Sequence, residues 1–127
     1  GRFAEKRTAV LSLNENETLV TARAVGLETR DLAGVGGALR ERFGITEVLI
    51  HTLHESLLCT PRGVTRQATR FIPEPKISTG AGDHFNAAAC LGAVLGLTDQ
   101  ERLTLSNRFS SLYVENGTTP SLEGLAL

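Results

Sequence analysis

The sequence predicts an α/β layered domain, and three observations carry that expectation. Apolar runs too short for helices, at residues 8–13 and 46–51, read as buried strands. Stretches with helical spacing and recognisable start and stop residues lie between and after them. The order is strand, two helices, strand, further strands and two more helices, which a layered α/β domain accommodates, and no repeat or low-complexity stretch interrupts it.

Residues 8–13 (Thr-Ala-Val-Leu-Ser-Leu) form the first expected strand. Asn14 opens a polar stretch, and a helix is expected from about Glu15 to Val25 with Gly26 as its stop. A second helix is expected from Asp31, a suitable N-cap, to Phe43, with Arg40 and Arg42 at the negative end of the helix dipole and Gly44 just beyond. Leu32, Val35, Leu39 and Phe43 have the spacing of its buried face. Residues 46–51 (Thr-Glu-Val-Leu-Ile-His) are the clearest strand. Leu57-Leu58-Cys59 follows a short turn, Pro61-Arg62-Gly63 makes a second turn, and Val64 to Ile72 holds another strand. Pro73 and Pro75 lack amide donors and exclude regular structure there. Beyond Asp83 the chain is rich in Ala and Leu as far as Leu97, with Phe85, Ala88, Ala89, Gly92 and Leu95 on one helical face. Gly92 and Gly96 each weaken a helix by about 1 kcal/mol relative to Ala, so a close approach of another element is expected there. Thr98-Asp99 restarts a helix that runs to about Glu115 and ends at Asn116-Gly117.

Composition narrows the function classes. The 127 residues amount to one short domain. Against 13 Lys and Arg stand 14 Asp and Glu, a net charge of -1, so no nucleic-acid partner and no anionic membrane partner is expected. The 41% hydrophobic and 21% charged residues are those of a globular chain, not a disordered one. No apolar run reaches the length of about 18 residues that spans a bilayer. No basic-then-apolar leader opens the chain, so a cytoplasmic location is expected. Cys59 and Cys90 are too few for a disulfide framework and read as two buried, reduced thiols. The glycosylation triplets at Asn16 and Asn116 then read as accidents. The chain begins at Gly1 and has no Met, so it is expected to be part of something longer.

The segment Thr79-Gly80-Ala81-Gly82-Asp83 carries the chemistry. Small residues let the backbone turn tightly and admit a ligand close to the main chain. The helix that follows at once presents unpaired amides and the positive end of its dipole, a site suited to a phosphate. A carboxylate beside a bound phosphate makes little sense for binding alone, but it makes sense as the base for an attacking hydroxyl. The other reading is a glycine-rich turn with Asp83 in a stabilising first-turn position. The Lys-Ser/Thr of a Walker A loop is absent.

The run Ile77-Ser78-Thr79-Gly80-Ala81-Gly82-Asp83-His84-Phe85-Asn86-Ala87 resembles the C-terminal signature of the PfkB (ribokinase-like) carbohydrate kinases. The resemblance implies that residues 1–127 are the C-terminal nucleotide-binding and catalytic half of a ribokinase-like three-layer α/β/α domain, without the N-terminal half that carries the sugar site and lid. It implies ATP-dependent phosphoryl transfer to a hydroxyl of a sugar or sugar-like substrate, with Thr79, Gly80, Ala81 and Gly82 around the phosphate and Asp83 as the base. Asn14-Glu15-Asn16-Glu17 resembles the family's N-x-x-E motif, which implies Asn14 and Glu17 as residues that help hold magnesium. The same two residues also make a capping box in all but the Ser/Thr. Asn107 resembles a family asparagine near the adenine, which implies that Ser110 and Ser111 line the nucleotide pocket with it; an ordinary amphipathic helix is the other reading. ATP and Mg2+ are thus the implied cofactors, this fragment alone is expected to be inactive, and a homodimer is left to the full-length protein.

The pattern also departs from the family. His51-Thr52-Leu53-His54-Glu55-Ser56 has no glycine where a glycine-containing turn often touches the nucleotide phosphates, and Ile77 stands where an acid often helps to bind a monovalent cation. These departures keep a second reading open, a non-catalytic nucleotide-binding or interaction protein on the kinase fold. His51, His54 and Glu55 lack the zinc spacing and read as a solvent-facing turn. His84 is read either as reaching the phosphate or sugar or as an exposed first-turn histidine. Gly34-Val35-Gly36-Gly37 lacks the last glycine of a dinucleotide fingerprint and lies inside a helix pattern.

Overall fold

A computed structural model describes residues 9–28 and 31–121. Among the described residues the order is β1 (Val10–Asn14), α1 (Glu15–Ala24), α2 (Leu32–Phe43), β2 (Glu47–His51), β3 (Glu55–Thr60), β4 (Gly63–Ala68), α3 (Ala81–Val94) and α4 (Asp99–Asn116). The strands form one sheet in the order β1-β2-β3-β4. β1 and β2 are parallel, with Val10 opposite Glu47 and Asn14 opposite His51. The connections before β3 and β4 are too short for parallel crossovers, so these strands turn back as hairpins. The sheet is therefore mixed, and the expected α/β class holds.

The chain divides into two units, one of residues 1–51 with 57–65 and the other of 52–56 with 66–127, as far as these are described. In the first unit, Leu13, Ala22, Val35, Leu39, Val48, Ile50, Leu57 and Cys59 make one buried cluster. Leu49 and Leu58 alternate with these along β2 and β3 and are buried too, so both faces of these strands are covered. This is why residues 46–51 and 57–59 read as unbroken apolar runs rather than as alternation. Gly36 lies at the closest approach: a Cβ there would stand 2.5 Å from Cys59 Sγ. Gly36 thus serves the packing of α2 on β3.

In the second unit α3 and α4 pack together, burying Phe85, Ala88 and Ala89 of α3 and Leu103 of α4. The close approach expected at Gly92 is present, because a Cβ there would meet Arg102 Cγ at 2.9 Å. Arg102 in turn donates from Nε to the Ala89 carbonyl, which keeps a buried guanidinium partnered.

Several expectations need correction. The strand begun at Thr8 starts, within the described residues, at Val10, and Thr8 lies outside them. β4 ends at Ala68 rather than Ile72. Phe43, the last residue of α2, and Leu95, the C-cap of α3, are exposed, so neither extends its helix's buried face. Gly96 has nothing near it and serves the turn between α3 and α4. Cys90 is exposed, and only Cys59 is a buried thiol.

Candidate active site

α3 begins without a side-chain cap. Gly80 is its N-cap at φ +94°, where side chains other than hydrogen are strained. A Cβ there would also stand 2.9 Å from the Tyr113 hydroxyl oxygen, so conformation and space both require glycine. The Ala81 amide donates to the Ser78 carbonyl at 3.2 Å, and the His84 amide donates to the Gly80 carbonyl at 3.1 Å. The Gly82 and Asp83 amides have no acceptor among the described residues. The Asp83 side chain is exposed, in the first turn, with no hydrogen-bond or ion-pair partner among the described residues. Open donors, the positive end of a helix and an unengaged carboxylate thus stand together. Of the segment expected around a phosphate, Gly82 offers a free amide, while the Ala81 amide is spent on the turn.

This loop is braced from α4. The Tyr113 hydroxyl donates to the Thr79 carbonyl at 2.7 Å, and the Ser110 hydroxyl donates to the Ala81 carbonyl at 3.1 Å. His84 Nδ1 lies 2.8 Å from the Gly80 carbonyl oxygen and Nε2 lies 2.9 Å from Thr119 Oγ1. The imidazole is stacked on the Tyr113 ring, with centroids 3.7 Å apart and planes 16° apart, and is tilted against Phe109. The exposed first-turn reading of His84 is therefore wrong: the side chain is half-buried and engaged at both nitrogens. Sequence reasoning missed Tyr113 and Thr119. The usable signal was the single tyrosine of the chain, four residues after Phe109 on a mostly polar helix.

Asn107 and Ser111 share a cavity of about 260 Å³ with Gln67, Thr69, Arg70 and Arg108. Asn107 Nδ2 and Arg108 Nε, on two of the lining residues, are buried without a hydrogen-bond partner among the described residues. Buried donors are normally satisfied, so these two mark a place where an acceptor would be welcome. Ser110 does not line this cavity; its hydroxyl is turned to α3.

Asn14 and Glu17 lie in the first unit, at the start of α1. Asn14 Oδ1 accepts from the Glu17 amide at 2.7 Å, and Glu17 Oε1 accepts from the Asn14 amide at 2.9 Å, a complete capping box. Both side chains are exposed, and Glu17 keeps its second carboxylate oxygen outside the box.

The His51–Glu55 stretch is not a simple solvent-facing turn. His51 ends β2 half-buried, and burial pushes its imidazole below the ordinary value of 6.5 against the opposing pull of the Glu17 carboxylate. His54 is exposed and stacks on Phe71, and Glu55 starts β3 paired with Arg66. Among the described residues no three of His, Cys, Asp and Glu cluster as a metal site. No described helix is long and apolar enough to cross a membrane.

Comparison with solved structures defines the class. The chain superposes on ribokinase from Thermotoga maritima with a TM-score of 0.77 and 19% identity, covering 91% of this chain and 40% of that one. It superposes on Arabidopsis thaliana ribokinase, complexed with ribose and ATP, with a TM-score of 0.77 and 25% identity, covering 92% and 39%. The fold is ribokinase-like. Residues 2–127 match the family described as prokaryotic ketohexokinase, and the chain belongs to that family, one of carbohydrate kinases. A ketohexokinase of Haloferax volcanii is 30% identical over 116 residues, which is 91% of this chain and 31% of that protein. The chain thus spans about a third of the length of that relative.

Proposed function

We propose that the chain is the C-terminal, nucleotide-binding and phosphoryl-transferring part of a longer kinase that moves the γ-phosphate of ATP to a hydroxyl of a sugar, with a ketohexose as the substrate class its relative's name points to. The observation that carries this reading is the uncapped start of α3, where two free amides and an exposed carboxylate adjoin. Charge spread over a migrating phosphoryl group is stabilised by donors already in place, and the Gly82 and Asp83 amides supply them. The Asp83 carboxylate accepts the proton of the attacking hydroxyl. The cavity at Asn107 and Ser111, with its two unpartnered donors, takes the base of the nucleotide.

Asn14 and Glu17 fit magnesium through water better than by direct contact, because one oxygen of each is already used in the capping box. Bound magnesium would neutralise charge on the nucleotide phosphates. This stretch alone does not turn over sugar, since the sugar-reading residues belong to the rest of the protein.

Asp83→Asn in the complete protein tests the reading. It should lower kcat by roughly 10²–10⁴-fold, the worth of a positioned base, while nucleotide affinity changes little. Unchanged turnover disposes of the assignment. A second reading, nucleotide binding without catalysis, draws on the glycine-free segment after Ile50 and on Ile77. It would be favoured by ATP binding with no turnover on a broad panel of sugars.

A further inference from the structure

We propose that His84 and Tyr113 are positioning residues for the phosphoryl-transfer step, acting through the two peptide groups that join Thr79, Gly80 and Ala81. The proposal rests on the reading of Asp83 and the glycine turn given above. Neither side chain is free to touch a reacting atom. The Tyr113 hydroxyl donates to the Thr79 carbonyl, and both His84 nitrogens are engaged, one at the Gly80 carbonyl and the other at Thr119. Their reach to the reaction is through the backbone.

Peptide groups are planar, so fixing the direction of a carbonyl fixes the N–H on its far side. Tyr113 holds the Thr79 carbonyl and thereby aims the Gly80 N–H. His84 holds the Gly80 carbonyl and thereby fixes the peptide plane that leads into the first turn, where the open Gly82 and Asp83 amides and the Asp83 carboxylate sit. A hydrogen bond received at the carbonyl also polarises the amide of the same peptide group. Satisfying the carbonyls does not explain these contacts. Gly80 O already accepts from the His84 amide at 3.1 Å, and Thr79 is exposed and open to water. A long-range bond from Tyr113 and a bond from His84 four residues on, both at carbonyls that do not need them, hold orientation.

The pair is also mutually locked. The rings stack at 3.7 Å, and Phe109 leans on the imidazole from the side. The Gly80 carbonyl can only accept, so Nδ1 is the donor to it, while Nε2 is held at the Thr119 hydroxyl. Gly80 leaves the space that the phenol fills, since a Cβ would collide with the hydroxyl.

The test uses the full-length kinase. His84→Ala and Tyr113→Phe should each lower kcat by about tenfold to a hundredfold, the scale of misplacing a catalytic group, with the KM for ATP and sugar within about twofold. His84→Asn places an amide nitrogen near the position of Nδ1 and should recover most of the loss of His84→Ala. The mimic of a migrating phosphoryl group, ADP with aluminium fluoride, should bind more weakly to the two damaged variants by a similar factor, while ADP alone binds as before. Where His84→Ala does not fold, Tyr113→Phe, which keeps the ring stack, carries the test. Equal kcat in His84→Ala and His84→Asn, or wild-type kcat in Tyr113→Phe, overturns the proposal. Asp83→Asn, measured beside them, separates the failures. If it abolishes turnover while the other variants work normally, positioning alone is wrong. If Asp83→Asn itself turns over normally, the underlying reading falls and takes this one with it.

Discussion

Helices α1 and α3 begin in opposite ways. Asn14 enters α1 with extended backbone, φ -79° and ψ 176°, and exchanges two hydrogen bonds with Glu17 so that the first turn is closed by its own side chains. Gly80 enters α3 at φ +94° with no side-chain cap, and the Gly82 and Asp83 amides find no acceptor among the described residues. α2 and α4 side with α1, through Asp31 and through the Thr98–Glu101 capping box. Capping costs only a suitable residue, and Gly80 gives no hydrogen bond from a side chain it lacks. The difference shows that a helix start can be closed by its own side chains or left open, and that the residue at the N-cap decides which.

The comparison is broken most severely at Gly80. Gly80→Ala should destabilise the chain by about 1–3 kcal/mol, the left-handed penalty plus the collision with Tyr113. Gly26→Ala, at φ +78° with open space around it, is the control for conformation alone and should cost about 1 kcal/mol. Denaturant unfolding of both variants measures the gap between them, and equal losses would remove Tyr113 from the account.

At the other helix start, Asn14→Ala should lose about 1 kcal/mol of stability, as cap removals do. Asp83→Asn should move stability by less than about 1 kcal/mol, the worth of one charge at a helix end, whatever it does to turnover. Thermal or chemical unfolding of the pair decides whether one site is structural and the other not. A large loss of stability in Asp83→Asn would contradict the division.

The smallest effect is electrostatic. His51 stands opposite Asn14 in the β1–β2 register, and burial holds its imidazole below 6.5 in the folded chain. In the window below 6.5 the unfolded chain takes up the proton first, so stability is full above that value and falls as the pH drops toward the folded value. His51→Gln should flatten this slope between pH 7.5 and 5.5 in urea titrations. A slope of the same size in the variant would assign it to other groups.

Much of this was legible because local signals and packing agree. Asp31, Gly44, Thr98 and Gly117 mark helix ends by their own chemistry, and the observed caps fall on them. The turn at Gly80 could be singled out because its left-handed backbone suits glycine and a helix follows at once. What escaped needed partners far along the chain. Phe43 and Leu95 stand at helix ends, where helical spacing alone does not say whether a position is still covered. The fingerprint reading of Gly34-Val35-Gly36-Gly37 could be set aside from the sequence, but that Gly36 makes room for Cys59 could not be read there. His84 needed Tyr113 and Thr119, 29 and 35 residues onward (113 - 84 and 119 - 84), before its two nitrogens had a meaning.

The two thiols give the molecule a built-in gauge. Cys90 lies open on α3, whereas Cys59 is sealed beneath the backbone of Gly36. An alkylating reagent therefore modifies the former in the native protein at once, and the latter only when α2 lifts from the sheet. The rate of the second modification reports how often this half of the chain opens, with no added probe.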